Sequence, residues 1–316
     1  MDMEILLRLQ EFRNGAGAIL ADFLSKMTFL GELNTAIVIM SIIYWSVSKE
    51  LGTYLMMGWS GNRLVNGVLK VTFCAYRPWI RDARIQPYGN AKTTATGYSF
   101  PSGHTMNGTT VFGGGIMRKE LPGILRVVLG IIVALIAFIR MFLGVHTPQD
   151  VLVGAGAGLL VMWLTLRLMQ WIASHPEKDV LVVCIGIGLG IAVALYAALK
   201  PYPIDYDAGG KLIVDGSKMA NDTFKGVGYC TAFLIGWILE RRFVDFSTDV
   251  PLGIKLARTV IGLLGYYLLS LILTPLIKMW IPGFAGTTIS CFVQMFYIVF
   301  LVPLCSKRME RGYAAA

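Results

Sequence analysis

The chain has 316 residues, of which 55% are hydrophobic and only 15% are charged, and its formal net charge at pH 7 is +9. This composition leaves too little polar surface to cover a water-soluble domain, so we predict a protein that crosses a lipid bilayer several times. The basic residues form no dense stripe with interleaved aromatic side chains, which argues against nucleic acid as a partner. The positive charge instead suits loops close to anionic lipid headgroups.

The first 26 residues contain too many polar side chains for a span, and they predict an amphipathic helix that lies at the membrane interface. A transmembrane helix needs about 20 mostly apolar residues. By that measure nine spans follow, near residues 27–47, 51–73, 101–117, 122–140, 148–171, 179–199, 222–240, 255–278 and 282–304. The predicted fold class is therefore all-α, a polytopic bundle of about nine transmembrane helices. The third span is short and rich in glycine, which predicts close packing against its neighbours.

Two long polar connections, at residues 75–99 and 200–221, interrupt this series of spans. The side chains that suggest chemistry lie between residues 70 and 150, and the last three spans carry no comparable cluster. We therefore predict three regions: an interfacial helix at 1–26, a functional membrane core at 27–199, and an accessory transmembrane bundle at 200–316.

Alternation of the predicted spans places the candidate site residues on a single side of the membrane. They are Lys70, Arg77, His104, Arg140, His146 and Asp150. The short loops predicted on the opposite side carry many lysines and arginines close to span ends, which is the pattern of cytoplasmic loops. We therefore expect the site to face the extracytoplasmic side.

The segment from His146 to Asp150 combines an imidazole and a carboxylate at the start of the fifth predicted span. Thr147 can cap that helix, and Pro148 suits its first turn. The spacing of four allows Asp150 to contact one ring nitrogen of His146, which leaves the other nitrogen free for nucleophilic attack. The alternative is an aspartate that only stabilises the helix N-terminus.

The segment from Pro101 to His104 opens the third predicted span. Gly103 permits close backbone approach, and N–H groups at a helix N-terminus face an anion favourably. Ser102 can add a hydroxyl donor, and His104 stands where a general acid could protonate a leaving oxygen. A turn that starts a helix, with a polar histidine at the interface, explains the same four residues.

Lys70, Arg77 and Arg140 are costly near hydrocarbon unless they face a cavity or a counter-ion. Phosphoryl transfer spreads negative charge over three oxygens, which fixed cations can stabilise. For any one of these residues, a side chain that extends to the interface from a span end is the plain alternative. The cysteines and carboxylates lack metal-ligand spacing, so we expect no metal and no other cofactor.

Taken together, KVTFCAYRP (70–78), PSGH (101–104) and RMFLGVHTPQD (140–150) resemble the three-part signature of the type-2 phosphatidic acid phosphatase family. The resemblance implies a six-span phosphatase core, a nucleophilic His146 oriented by Asp150, and His104 as the acid that later activates water. It also implies phosphate binding by Lys70, Arg77, Ser102, Gly103 and Arg140. Ile139 departs from the family pattern, which usually has serine before the third-segment arginine.

The expected activity is metal-independent hydrolysis of a lipid phosphate or an isoprenoid diphosphate, such as undecaprenyl diphosphate, through a phosphohistidine. Lipid phosphotransfer and hydrolysis of a soluble sugar phosphate at the same site are alternatives. A non-enzymatic anion transporter is the rival from another class. The expected partners are the bilayer and the lipid substrate, and the expected location is a bacterial plasma membrane.

Overall fold

The computed structural model describes residues 2–314, and apart from one isolated antiparallel bridge between Tyr206 and Leu212 its regular structure is helical. The prediction of an all-α fold is thus confirmed. The helices are α1 Asp2–Ala16, α2 Ala18–Met27, α3 Leu33–Ile42, α4 Lys49–Phe73, α5 Pro78–Arg81, α6 Ala91–Thr94, α7 Gly103–Gly108, α8 Gly114–Ile116, α9 Gly123–Phe142, α10 Pro148–Ser174, α11 Asp179–Leu199, α12 Gly216–Leu239, α13 Leu252–Leu268, α14 Thr274–Trp280, α15 Gly283–Phe296 and α16 Val302–Ala314.

Several helices continue through a tighter or wider turn. The 3₁₀ turns are Thr28–Gly31 and Pro176–Lys178, and the π-helical turns are Ile43–Val47, Thr109–Gly113, Glu240–Val244, Leu269–Leu273 and Tyr297–Leu301. The turn at Thr109–Gly113 joins α7 to α8, so the segment that begins at Gly103 is one helical stretch of about four turns.

Five continuous helical segments within residues 2–314 are long and apolar enough to cross a membrane: Gly123–Phe142, Pro148–Ser174, Pro176–Leu199, Leu252–Trp280 and Gly283–Arg308. The pair Ala18–Gly31 and Leu33–Val47, bent by 56°, raises the number to six if it forms one broken span. The count of nine therefore remains a prediction. Helices α4 and α12 are long, but charged and amide side chains interrupt their apolar character, and the stretch from Gly103 to Ile116 is short.

The chain divides into two compact units. The first consists of Met1–Ala36, Val65–Trp163 and Lys200–Ala220, and the second of Ile37–Leu64, Leu164–Leu199 and Asn221–Ala316. Every predicted site residue belongs to the first unit. The predicted region boundaries at residues 26 and 199 remain predictions.

Small residues allow close helix packing in the first unit. A Cβ atom on Gly108 would lie 2.5 Å from Cδ1 of Ile136, and one on Gly115 would lie 2.6 Å from Cδ1 of Leu129. Both contacts join the glycine-rich stretch to α9. They confirm the prediction that glycine serves close packing there.

The N-terminal residues form two helices rather than one, because the chain turns at Gly17, which has a φ of +87°. Arg13 is buried at the end of α1, and its guanidinium donates to the carbonyl oxygens of Phe142 and Gln86 at 2.9 Å. These bonds attach α1 to the C-terminal end of α9, close to the candidate site. Its position at a membrane interface remains a prediction.

The second unit has its own buried polar anchors. Arg258 is almost fully buried and donates to the carbonyl oxygens of Trp45 and Ser247 at 2.7 and 3.0 Å. The indole of Trp45 donates to the carbonyl oxygen of Ile298 at 2.9 Å. Hydrogen bonds from Arg258 and to Ile298 therefore attach the C-terminal helices to the Trp45 segment.

Candidate active site

The turn between α9 and α10 brings Arg140 and His146 together. Gly144, with a φ of +73°, ends α9, and its N–H donates to the carbonyl oxygen of Met141 at 2.8 Å. The N–H of Val145 returns to the carbonyl oxygen of Arg140 at 3.2 Å, which is the usual closure of a helix by a left-handed glycine. His146 therefore emerges one tight turn after Arg140.

His146 and Asp150 form a buried pair at the start of α10. Nδ1 of His146 lies 3.3 Å from Oδ2 of Asp150, and both side chains are nearly inaccessible. The same Oδ2 accepts the backbone N–H of Thr147 at 2.7 Å, while the hydroxyl of Thr147 accepts the backbone N–H of Asp150 at 3.3 Å. Asp150 thus caps the helix and also contacts the imidazole. The helix-capping interpretation and the interpretation as the partner of His146 are therefore compatible.

Ser99 completes the environment of this pair. Its hydroxyl donates to Oδ2 of Asp150 at 2.5 Å and lies 3.4 Å from Nδ1 of His146. Ser99 is buried and belongs to the polar connection before α7. Three donors therefore converge on one carboxylate oxygen, which fixes its position behind the ring of His146.

Arg77 approaches the opposite side of that ring. Its Nη1 lies 2.9 Å from Nε2 of His146 and also donates to the carbonyl oxygen of Val145 at 3.0 Å. Nε and Nη2 donate to the carbonyl oxygens of Gly97 and Thr96 at 3.0 and 3.2 Å. A donor at Nε2 and a carboxylate at Nδ1 select the tautomer that carries its proton on Nδ1.

The electrostatic surroundings keep His146 neutral. Burial lowers the pKa of His146 well below its usual value, and the positive charge of Arg77 lowers it further, while Asp150 opposes them. Burial also lowers the pKa of Arg77 to about 9, with a further contribution from the charge of Arg140. At pH 7, His146 is therefore an unprotonated base beside a cationic Arg77.

Lys70 lies in the last turn of α4 and is partly buried. Its ammonium donates to the carbonyl oxygen of Tyr98 at 2.9 Å and approaches that of Ser99 at 3.4 Å. Lys70 and Arg77 thus both hold the backbone of residues 96–99, the segment that delivers Ser99 to Asp150.

Ser102, Gly103 and His104 form the N-terminus of the helical stretch that starts with α7. The N–H of Ser102 donates to the carbonyl oxygen of Asp150 at 2.9 Å, which ties this terminus to the start of α10. The Ser102 hydroxyl oxygen accepts the N–H and the hydroxyl of Thr105 at 3.3 and 2.9 Å. Because these contacts use the oxygen as an acceptor, its own proton is free to be donated.

Gly103 has room for a side chain. The nearest atom to a Cβ built there is Oδ1 of Asn66, at an ordinary contact distance of 3.7 Å. Packing therefore does not require glycine at this position, and its part in phosphate binding stays a prediction.

Arg140 and His104 carry buried polar atoms without a protein partner. Arg140 is fully buried and its Nη1 donates to the hydroxyl of Thr28 at 2.8 Å, but its Nε and Nη2 have no acceptor. Nε2 of His104 is likewise buried and unpartnered. His104 lies within electrostatic reach of Arg140, His146, Arg77 and Lys70. Unsatisfied buried donors are rare, so this cluster requires an explanation.

The structure therefore brings the predicted residues together. His146 contacts Arg77 and Asp150, and the N–H of Ser102 donates to the carbonyl oxygen of Asp150. Lys70 holds the segment that carries Ser99, and the charges of Lys70 and Arg140 act on His104. Sequence reasoning assigned no role to Ser99, although it lies in the stretch that leads into PSGH. Ile139 is fully buried in an apolar cluster that includes Phe142 and Val145, so this position needs no polar side chain here. Within residues 2–314 no group of three or more His, Cys, Asp or Glu side chains is arranged to hold a metal ion.

Two family models match the chain. The PAP2 superfamily model matches residues 51–174, and the model of the PAP2 superfamily phosphatase transmembrane extension matches residues 224–314. The chain belongs to the PAP2 superfamily, which confirms the resemblance drawn from the three motifs. The C-terminal region predicted as an accessory bundle contains the extension of that superfamily.

Two curated relatives are similar to the chain over part of their lengths. Phosphatidylglycerophosphatase B of Bacillus subtilis (strain 168) is 32% identical over 135 residues, which cover 40% of this chain and 62% of the relative. Lipid phosphate phosphatase delta of Arabidopsis thaliana is 26% identical over 188 residues, which cover 55% and 44%. The chain thus spans less than two thirds of either relative.

One solved structure is similar to the chain. It is the crystal structure of a transmembrane PAP2 type phosphatidylglycerolphosphate phosphatase from Bacillus subtilis, 27% identical, with a TM-score of 0.45. The similarity covers 54% of this chain and 85% of that one. The family, the apolar helices and the transmembrane extension make this protein an integral membrane protein.

Proposed function

We propose that this protein is a metal-independent membrane phosphatase that removes phosphate from a lipid through a phosphohistidine at His146. The observation that carries the proposal is the pairing of a neutral, buried imidazole with buried donors that have no protein acceptor, on Arg140 and His104. A phosphate group supplies the oxygens that these donors lack. The curated relatives support the chemistry, because their names describe phosphatases of lipid phosphates.

In the first step Nε2 of His146 attacks phosphorus, and the bond from phosphorus to the leaving oxygen breaks. The hydrogen bond from Arg77 to Nε2, at 2.9 Å, occupies the attacking lone pair in the free site. A bound phosphate oxygen takes over this Arg77 donor and so releases the lone pair. Asp150 stabilises the positive charge that develops on the ring. Binding of the anionic phosphate favours the protonated form of His104, which gives its proton to the leaving oxygen.

In the second step water attacks the phosphohistidine. Neutral His104 takes a proton from the water. The water oxygen bonds to phosphorus, and the bond from phosphorus to Nε2 of His146 breaks. Inorganic phosphate leaves, and His104 is protonated again for the next cycle. Lys70, Arg77 and Arg140 stabilise the charge on the phosphoryl oxygens in both steps.

The proposed substrate class is a lipid phosphate, with an isoprenoid diphosphate such as undecaprenyl diphosphate as the second member. A site formed next to membrane-spanning helices suits a substrate whose chain stays in the bilayer while its phosphate enters. The name of the Bacillus relative makes phosphatidylglycerophosphate the first compound to test.

The test measures phosphate release from phosphatidylglycerophosphate, phosphatidic acid, undecaprenyl diphosphate and a soluble sugar phosphate, in detergent with EDTA. His146→Ala and His104→Ala are compared with the parent. His175→Ala is the matched control, because His175 is exposed and contacts Trp171 instead of the site. We expect turnover of a lipid substrate in the parent and the control, and its loss in His146→Ala. Binding without turnover by the parent indicates an anion transporter, and loss of all activity in EDTA indicates a metal enzyme.

We also propose that the site faces the extracytoplasmic side of a bacterial plasma membrane. Ala83 is exposed in the connection beside Arg77, and Glu177 is exposed just beyond α10, whose 27 residues span about 40 Å. A membrane-impermeant maleimide applied to intact cells should label Ala83→Cys and spare Glu177→Cys. The background lacks the exposed Cys184 and Cys305 and also Cys74, which is partly exposed beside the site. The reverse labelling pattern contradicts this orientation.

A further inference from the structure

The segment of residues 200–220 lies between the two regions that the family models match, and we call it the connector. It is ordered by its own turns: Oδ1 of Asp207 accepts the N–H groups of Gly209 and Lys211 at 2.9 and 3.0 Å. Oδ1 of Asp215 accepts the N–H of Ser217 at 2.9 Å at the start of α12. The connector belongs to the first compact unit, together with the site.

The connector first contacts the end of α4, between Lys70 and Arg77. Nζ of Lys200 donates to the carbonyl oxygen of Val71 at 2.5 Å and lies 3.5 Å from Sγ of Cys74. Cys74 has a φ of +47°, a left-handed conformation that non-glycine residues seldom adopt. Lys200 therefore supports the strained turn that ends α4 and leads the chain to Arg77.

A second contact holds the residue immediately before Arg77. The hydroxyl of Tyr76 donates to Oδ2 of Asp205 in a very short hydrogen bond. The side chain of Arg77 contacts three carbonyl oxygens and His146. These contacts require the backbone of Arg77 to stay in place, and the position of that backbone depends on the neighbouring residue 76. Asp205 thus restrains the base of that side chain.

A third contact holds the segment that carries Ser99. Sδ of Met219 lies 3.4 Å from the N–H of Tyr98, and a Cβ atom on Gly97 would clash with the same sulfur. Met219 is buried in a cluster with Val71, Tyr98 and Val214, against which Cys74 and Tyr76 also pack. One apolar cluster therefore joins the connector to two loops of the site, the one that leads to Arg77 and the one that carries Ser99.

We infer that the connector is a clamp that sets the positions of Arg77 and Ser99, with Lys200, Asp205 and Met219 as positioning residues. The inference rests on the proposed function, because it assigns these residues a part in the phosphatase reaction. The clamp holds the loop that aims Arg77 at Nε2 of His146 and the loop that places Ser99 on Asp150. A displacement of about 1 Å at reacting groups can reduce turnover on the order of 10²-fold.

The test compares kcat and KM of Met219→Ala, Met219→Leu and Asp205→Ala on the lipid that the parent hydrolyses. Ile204→Ala is the matched control within the connector, because Ile204 is 70% exposed. We expect Met219→Ala and Asp205→Ala to lower kcat by about tenfold or more, with a smaller change in KM. Met219→Leu should restore most of kcat, since it refills the cluster, and the control should match the parent.

A double-mutant cycle tests the Tyr76–Asp205 contact. If both residues act through one hydrogen bond, Tyr76→Phe combined with Asp205→Ala should lower kcat no further than either single change. Unchanged kcat in Met219→Ala and Asp205→Ala, in samples that remain folded at the assay temperature, overturns the clamp.

A second readout does not depend on turnover. The alkylation rate of Cys74, followed by peptide mass spectrometry, should rise in Met219→Ala and stay at the parent value in Ile204→Ala. If the parent hydrolyses no lipid, the proposed function fails, while faster alkylation of Cys74 still supports the connector as a restraint on the loops. Equal alkylation of Cys74 in all variants contradicts that restraint.

Discussion

Arg77→Lys keeps a positive charge at the centre of the site but removes the planar group that distributes it. The guanidinium of Arg77 contacts three carbonyl oxygens and Nε2 of His146 at 2.9 to 3.2 Å. A lysine ammonium acts as a point charge and cannot reach all four of these acceptors at once. If two charge-assisted hydrogen bonds are lost, at about 1.5–3 kcal/mol each, the cost is roughly 3–6 kcal/mol. At about 1.4 kcal/mol per decade, this predicts a fall in kcat/KM of roughly 10² to 10⁴-fold.

The assay is phosphate release in detergent at several concentrations of the lipid that the parent hydrolyses, with thermal unfolding measured on the same samples. Arg81→Lys is the control, because Arg81 is exposed on the short helix α5. We expect the control to match the parent within about threefold, as surface substitutions usually do. A kcat/KM for Arg77→Lys equally close to the parent would show that the contacts of this guanidinium do not matter for turnover, and the reasoning would be refuted.

Three further changes probe the site. Arg77→Gln should move the acid limb of the pH profile of kcat/KM to higher pH, because removal of a neighbouring cation raises the pKa of His146. An acid limb that stays in place contradicts this. Gly103→Ala should fold normally, because the new Cβ meets Oδ1 of Asn66 at an ordinary 3.7 Å, yet it should raise KM. Gly156→Ala, whose Cβ meets nothing within 4 Å, should leave KM unchanged. Equal KM values in titrations of both variants would remove the role of Gly103. Ser99→Ala should lower kcat by about tenfold with little change in KM, because it removes the 2.5 Å donor to the carboxylate behind His146; steady-state kinetics at the parent value would contradict the role of Ser99.

The sequence predicted much of the site because its residues lie in short, ordered motifs. The four-residue spacing of His146 and Asp150 across Thr147 and Pro148 determines a helix start at which the carboxylate meets the ring. The local rules for caps and glycine turns apply there without knowledge of the rest of the fold.

The contacts that sequence reasoning missed join residues far apart in the chain. Ser99 meets Asp150 across 51 positions, and Lys200 meets Val71 across 129. A serine before PSGH and a lysine at the end of α11 carry no local signal of such partners. Only the packing of the first unit determines them.

The number of spans stays a prediction for a physical reason. Helix α4 continues for 25 residues, but some of its polar side chains, Asn62 and Asn66 among them, are buried within the protein. An apolar window of about 20 residues identifies a helix that lipid can surround. It does not count helices whose polar faces are covered by other parts of the chain.

The central claim is that Nε2 of His146 becomes covalently phosphorylated. The most direct measurement is rapid quenching of the protein with a phosphorus-labelled lipid substrate, followed by location of acid-labile, base-stable label by peptide mass spectrometry. The account predicts label on His146, absent from His146→Ala and accumulating in His104→Ala when the leaving group is good, because water activation is then impaired. Turnover by the parent with no label on His146, or with label on another side chain, would contradict it.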